Sequence, residues 1–259
     1  MKKIFPPFLR ISFYLLFSVV WLISANQGAA QQRKPHTVRS SQVISSPVEK
    51  RLANIGELKT ALTKYHDCQP ENHLGCYEKD LSAVCNHAKA YLQHHVKSVS
   101  KPAMVLDIDE TSLSNWEEIK ADDFGFHAKI WNDWLDSAKA PVIAPMLELY
   151  RFARQNKVAV FFITGRREPS RQVTEKNLQT AGYSDWQQLV LRPQGDKPCA
   201  NYPDRKETSE VVCYKAGARR QIEDEGYHIN LNLGDQLSDL RGGHARRAYK
   251  LPNPFYYIP

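Results

Sequence analysis

Two textures of hydrophobic patterning divide the chain. Up to about residue 100, apolar positions recur with a helical period. Beyond it, short continuous apolar runs alternate with helical stretches. In the first region Ser46-Pro47-Val48-Glu49 has the form of a helix start: a capping Ser, a Pro in the first turn, and a Glu three residues after the cap. Val48, Leu52, Ile55, Leu58 and Leu62 follow at helical spacing. Tyr77, Leu81, Val84, Ala88, Tyr91, His95 and Val99 predict a second helix. Residues 46–100 are thus expected to form an N-terminal helical appendage that packs on something else. From Pro102 onward the spacing predicts buried strands over 103–109, 158–163, 189–191 and 228–233, with a fifth at 249–251. Helices are expected over 145–155, 169–181 and 208–225. Residues 110–140 read as an aromatic-rich insertion without clear periodicity. Apolar strands separated by helices predict an α/β fold, a doubly wound parallel sheet covered on both faces.

The ends of the chain change this picture. Lys2, Lys3 and Arg10 precede an apolar run over 11–25, and Gly28-Ala29-Ala30 offers small residues for cleavage. Residues 1–30 read as a secretory signal peptide cleaved after Ala30, leaving no stable membrane anchor and a secreted or periplasmic protein. Residues 31–45 are polar, basic and Ser-rich, an expected flexible mature N-terminus. The formal net charge is +7. With the three leader bases set aside, 32 bases face 28 acids, so the charge is +4. That suits an anionic substrate and gives no reason to expect a nucleic-acid partner. Five cysteines remain in an exported chain, where they should pair. Their clustering predicts one bridge among Cys68, Cys76 and Cys85, one between Cys199 and Cys213, and one odd thiol. No CxxC pair suggests zinc.

The candidate chemistry lies where the apolar runs end. The first delivers Asp107 and Asp109, two residues apart and so expected on one face of a strand end. Like charges that close call for a cation or a shared proton, which implies metal binding, acid/base work, or both. The second run ends in Thr164-Gly165-Arg166, the helical region before the fourth carries Lys215, and the fourth ends in Gly234-Asp235, with Asp239 a turn later. In an open parallel sheet ligands bind beyond the carboxyl ends of the strands, where these groups fall. Carboxylates from two strand ends suit Mg2+, and a hydroxyl and an ammonium suit a phosphoryl group.

Taken in order, Asp107-Ile-Asp109-Glu-Thr111, Phe161-Phe-Ile-Thr164-Gly-Arg166, Lys215 and Gly234-Asp235-Gln-Leu-Ser-Asp239 resemble the four motifs of the haloacid dehalogenase (HAD) superfamily. Together with Lys250-Leu-Pro-Asn-Pro-Phe-Tyr-Tyr they resemble more narrowly its secreted acid phosphatase branch, which includes plant vegetative storage proteins. The resemblance covers most of residues 46–259. It implies a Mg2+-dependent acid phosphatase, 5′-nucleotidase-like in its range, acting on nucleotide, sugar or aryl phosphates through an aspartyl-phosphate. Asp107 would be the nucleophile and Asp109 the general acid/base. Thr164 and Lys215 would bind phosphate. Mg2+ would be held by Asp107, the Asp109 backbone carbonyl and Asp235, with Asp239 behind them or orienting Lys215. Two alternatives stay open: a phosphotransferase of the same fold, and a non-catalytic storage or binding member. Residues 112–140 would form a small cap. Trp116, Trp131 and Arg166 are its and the site's candidate substrate contacts, although most of the insertion's aromatics are expected to pack internally. The oligomeric state is left open.

Overall fold

The computed structural model describes residues 53–68, 76–193 and 209–258. All of them fall within one compact unit. The leader, the polar segment after it, the cap expected at Ser46–Glu49 and Cys199 lie outside the described residues.

The sheet has five parallel strands: β1 (Pro102–Leu106), β2 (Ala159–Arg167), β3 (Gln188–Arg192), β4 (His228–Gly234) and β5 (Arg247–Lys250). Their spatial order is β3-β2-β1-β4-β5. The chain moves outward from β1 to β2 and β3, then crosses to the other side of β1 for β4 and β5. The crevice between the ends of β1 and β4 is therefore the topological switch point of the sheet, where ligands bind in open α/β folds.

Side-chain alternation explains why both faces are buried. Met104 and Leu106 point into one core with Val160, Phe162, Leu231 and Leu233. Ala103 and Val105 point into another with Phe161, Ile163 and Ile229. Helix α2 (Tyr77–His95) and helix α5 (Ala144–Gln155), which has Pro145 in its first turn, cover the first face. Helix α7 (Glu210–Asp224) covers the second through Cys213, Tyr214, Ala218 and Ile222. α2 contributes Leu81, Cys85, Ala88 and Leu92 to the main core, so the expected helical segment packs directly on the sheet's own cover. Helix α6 (Arg171–Thr180) follows a short 3-10 turn at Glu168–Ser170 and precedes β3.

Three local expectations need correction. Helix α1 spans Ile55–His66 and carries its own cap, the Asn54 side chain accepting from the Gly56 and Glu57 N–H groups at 2.9 and 3.4 Å. β1 stops at Leu106, so Asp107 and Asp109 stand on the loop after the strand rather than on alternate positions within it. The 110–140 insertion is helical in part, with α3 (Trp116–Ala121) and α4 (Ala128–Ser137). In α4 the apolar residues Ile130, Trp131, Trp134 and Leu135 do keep a helical spacing. That signal is short, and the polar turn at 122–125 interrupts it. A further short helix, α8 (Leu237–Leu240), follows β4. Among the described residues no helix is long and apolar enough to cross a membrane.

Cys68 and Cys76 form a disulfide between α1 and α2, and Cys213 is also disulfide-bonded. Cys85 is the free, buried thiol. Burial pushes its pKa up to about 12, which removes the nucleophilic thiolate at neutral pH. Alkylation of the native protein followed by peptide mapping should leave Cys85 unmodified, with modification appearing only after unfolding. Rapid native labelling at Cys85 would contradict its burial between α2 and the core.

Candidate active site

Strand geometry places the charged groups. The Asp107 N–H donates to the Leu233 carbonyl at 3.0 Å, extending the β1–β4 ladder by one bond beyond Leu106. This aligns Asp107 with Asp235, the residue that follows β4. Asp235 is held by three donors: Thr111 Oγ1 at 3.1 Å, Gln236 Nε2 at 2.7 Å and Asn253 Nδ2 at 2.7 Å. Asp239 caps α8 in a capping box: its Oδ2 accepts the Gln236 N–H at 2.8 Å. Gly234 permits this close return of the chain, since a Cβ there would lie 2.3 Å from the Asp239 Cβ.

Asp107, Asp235 and Asp239 each bring a carboxylate oxygen to within 4.8 Å of the others, and all three are buried. One ammonium joins them. Lys215 Nζ donates to Asp107 Oδ1 at 2.7 Å and also pairs with Asp239. Lys215 itself is 5% exposed. Burial works against its charge, but Asp107 and Asp239 outweigh that and hold its pKa above the ordinary lysine value. Burial raises the Asp107 pKa well above the usual carboxylate range. Lys215 pulls it down, and Asp239, Asp235 and Asp109 push it up again. Burial and then Asp239 lift Asp235 to about 6, although its amide donors oppose the shift. Three buried carboxylates against one lysine leave negative charge uncompensated. The donor set is all hard oxygen with no nitrogen or sulfur, so these residues fit a divalent cation such as Mg2+.

Asp109 belongs to a separate cluster. Arg166 meets it through Nε at 3.1 Å to both oxygens and through a terminal nitrogen at 2.7 Å to Oδ1. Asn115 Nδ2 also donates to Oδ1, at 2.9 Å. Next to them Glu110 is buried and accepts from the Asn115 N–H, the Asn115 amide and the Tyr256 hydroxyl. Burial and then Asp109 lift Glu110 to about 8.

Both clusters open into one cavity of about 430 Å³. Asp107, Asp109, Lys215, Asp235 and Asp239 form its charged floor. Phe124, Phe126 and Trp131 come from the insertion, and Phe255, Tyr256, Tyr257 and Ile258 from the C-terminal segment. Of the three candidate substrate contacts, Arg166 and Trp131 line this space. Trp116 does not, which corrects that expectation: its ring stacks on His66 with centroids 3.9 Å apart, and its Nε1–H donates to Asp67 at 2.8 Å. It ties the cap to α1 instead. Thr164 is fully buried and is not among the residues that line the cavity; its hydroxyl accepts the Arg166 N–H at 3.1 Å.

Sequence reasoning missed Asn115, Gln236, Asn253 and Tyr256 as participants. It missed Arg219 too, one helical turn after Lys215. Arg219 is buried, donates to the Asp239 carbonyl at 2.6 Å and the Gly243 carbonyl at 2.9 Å, and so fixes the loop carrying Asp239. One signal was available for Asn253. It lies between Pro252 and Pro254 just past an edge strand, where a rigid polar residue has to satisfy something.

Residues 30–259 match the family model described as HAD superfamily, subfamily IIIB (acid phosphatase). The chain is 34% identical over 187 residues to a stem 28 kDa glycoprotein of Glycine max, covering 70% of each chain. It is 33% identical over 215 residues to acid phosphatase 1 of Solanum lycopersicum, covering 79% of each. In fold it resembles the class C acid phosphatase of Bacillus anthracis, with a TM-score of 0.60 and 20% identity, covering 78% of this chain and 86% of that one.

The fit around Gly234 gives a direct check. Gly234→Ala should push Asp239 off Lys215 and cost about 1–3 kcal/mol of stability by overpacking, read by urea unfolding. An alanine variant as stable as the parent would show that Asp239 is not held against the strand end.

Proposed function

The chain belongs to subfamily IIIB of the HAD superfamily, the acid phosphatases, and on that premise we propose that it is a Mg2+-dependent phosphomonoesterase working through an aspartyl-phosphate. Three buried carboxylates meeting one lysine on the cavity floor carry this reading. Held by Asp107, Asp235 and the Asp109 backbone carbonyl, with Asp239 alongside, a bound Mg2+ supplies the positive charge that this cluster and a phosphate ester both need.

The chain's own groups then divide the work. An Asp107 oxygen attacks phosphorus, forming an acyl-phosphate bond as the ester P–O bond breaks. Asp109 gives its proton to the departing alkoxide oxygen. Asp109, now a carboxylate, takes a proton from the attacking water, which frees Asp107 and inorganic phosphate. Lys215 steadies Asp107 and offers charge to the phosphoryl oxygens. The Thr164 hydroxyl, whose lone pair takes the Arg166 N–H, keeps its hydrogen for donation. Residues 112–140 act as the cap that closes over the leaving group and limits water. Phe124, Phe126 and Trp131 favour nucleotide or aryl phosphates over small polar esters. Export to a periplasmic or extracellular space is supported by the leader pattern and the Cys68–Cys76 bridge.

One similar protein, at 30% identity, is called vegetative storage protein 1 of Arabidopsis thaliana. The carboxylates and lysine are complete in this chain, and that favours turnover over a storage role. Acid quench of the enzyme during turnover of p-nitrophenyl phosphate should trap phosphate on the peptide carrying Asp107. Asp107→Asn should fold, trap nothing and show no measurable turnover, and thorough chelation should silence the parent enzyme. Turnover that survives either change would overturn the assignment. Phosphate appearing mainly on added glycerol would instead favour a phosphotransferase.

A further inference from the structure

Asp109 is held asymmetrically. Its Oδ1 accepts three donors: the Arg166 terminal nitrogen at 2.7 Å, Arg166 Nε at 3.1 Å and the Asn115 amide at 2.9 Å. Its Oδ2 accepts only the shared Arg166 Nε, at 3.1 Å. Oδ1 is the more engaged oxygen, and Oδ2 is left with one shared donor. The Asn115 amide has a determined orientation as well. Trp134 Nε1 lies 2.8 Å from Asn115 Oδ1, and an indole nitrogen can only donate. The atom it meets must be the amide oxygen, so the amide nitrogen has to face Asp109 and Glu110. Asn115 Nδ2 also reaches Glu110 Oε2 at 3.0 Å, and the Tyr256 hydroxyl holds that oxygen from the other side at 2.9 Å. Trp134 belongs to α4, in the insertion over the cavity.

We propose that Asn115 is a positioning residue for the proton transfer, oriented from the insertion by Trp134, and that together with Arg166 it fixes the plane in which the Asp109 carboxyl meets the leaving oxygen. The inference rests on Asp109 being the general acid. In the step concerned, the O–H bond of the Asp109 carboxyl breaks and the proton passes to the ester oxygen as its bond to phosphorus breaks, while Asp107 supplies the new bond to phosphorus. Loss of the Asn115 or Trp134 contact leaves Arg166 alone to hold the carboxyl, so Asp109 meets the leaving oxygen less well aligned. Esters whose alkoxide leaves poorly should then suffer most, because they need the proton most.

The test is kcat/KM, which reports the step that expels the leaving group, for a series running from p-nitrophenyl phosphate through phenyl phosphate to an alkyl phosphate. It is measured for the parent, Asp109→Asn, Asn115→Ala and Trp134→Phe, each checked for folding by circular dichroism and thermal melting. The alkyl ester should lose on the order of 100-fold in Asn115→Ala and about tenfold in Trp134→Phe, with p-nitrophenyl phosphate losing about threefold or less. Equal losses across the series in both variants would overturn the proposal. If Asn115→Ala does not fold, Trp134→Phe decides alone. A series that stays flat in Asp109→Asn means that Asp109 is not the acid, and the parent reading fails. A steep series in Asp109→Asn with flat ones in the other two fails the Asn115 proposal alone.

Discussion

Three buried carboxylates share one lysine, and much of the surrounding structure exists to make that tolerable. Asp107, Asp235 and Asp239 would repel one another in an apolar interior. Lys215 compensates two of them directly. Asp235, which Lys215 does not bond, takes hydrogen bonds from a hydroxyl and two amides instead. Gly234 lets the chain turn tightly enough to return Asp239 to the strand end, and Arg219 ties down the carbonyls beyond it. The parallel sheet supplies the rest: β1 and β4 are neighbours at the switch point, so the residues that follow them face one another without further machinery.

Two aspartates of the same loop are separated by their partners. Asp107 is enclosed by other carboxylates and a lysine, and of these only Lys215 opposes the upward pull of burial on its pKa. Asp109 lies against a guanidinium and an amide at the wall of the cavity, with more donors on Oδ1 than on Oδ2. The short distance between them in sequence hides a difference in surroundings, and that difference is what gives two identical side chains separate tasks in the proposed mechanism. The insertion and the C-terminal segment meet over this boundary: Trp134 reaches Asn115 from one side and Tyr256 reaches Glu110 from the other.

The strand ends were legible because each apolar run stops at a polar residue that a sheet alone would not require. Asp107, Asp109 and Asp235 stood out in this way, Lys215 only through its place in the order of motifs, and the parallel sheet follows from the alternation of strands with helices. What escaped were residues that act by contact across long sequence separations. Asn253 reaches Asp235 from 18 residues away, and Tyr256 reaches Glu110 from 146. No local pattern encodes such pairings. Asn115 and Arg219 carried no signal of their own in the sequence. Trp116 was misplaced for a related reason. An aromatic after an acidic strand-end loop suggests a substrate contact, but the acceptor Asp67, 49 residues earlier in the chain, and the stacking partner His66 beside it come from the end of α1. The strand-alternation argument for Asp107 and Asp109 led to the right cavity by the wrong route, since both lie beyond the last residue of β1.

If the carboxylate cluster is built around a cation, its occupancy should show in stability, independently of turnover. The most direct measurement is thermal unfolding of the full chain across a Mg2+ titration, for the parent and for Asp235→Asn. The expected result is a melting temperature that rises with Mg2+ in the parent, equivalent to about 2.7 kcal/mol at a hundredfold excess over Kd, and does not rise in the variant. A parent whose melting temperature ignores Mg2+, or a variant that shifts as much as the parent, would contradict a metal centre at the ends of β1 and β4.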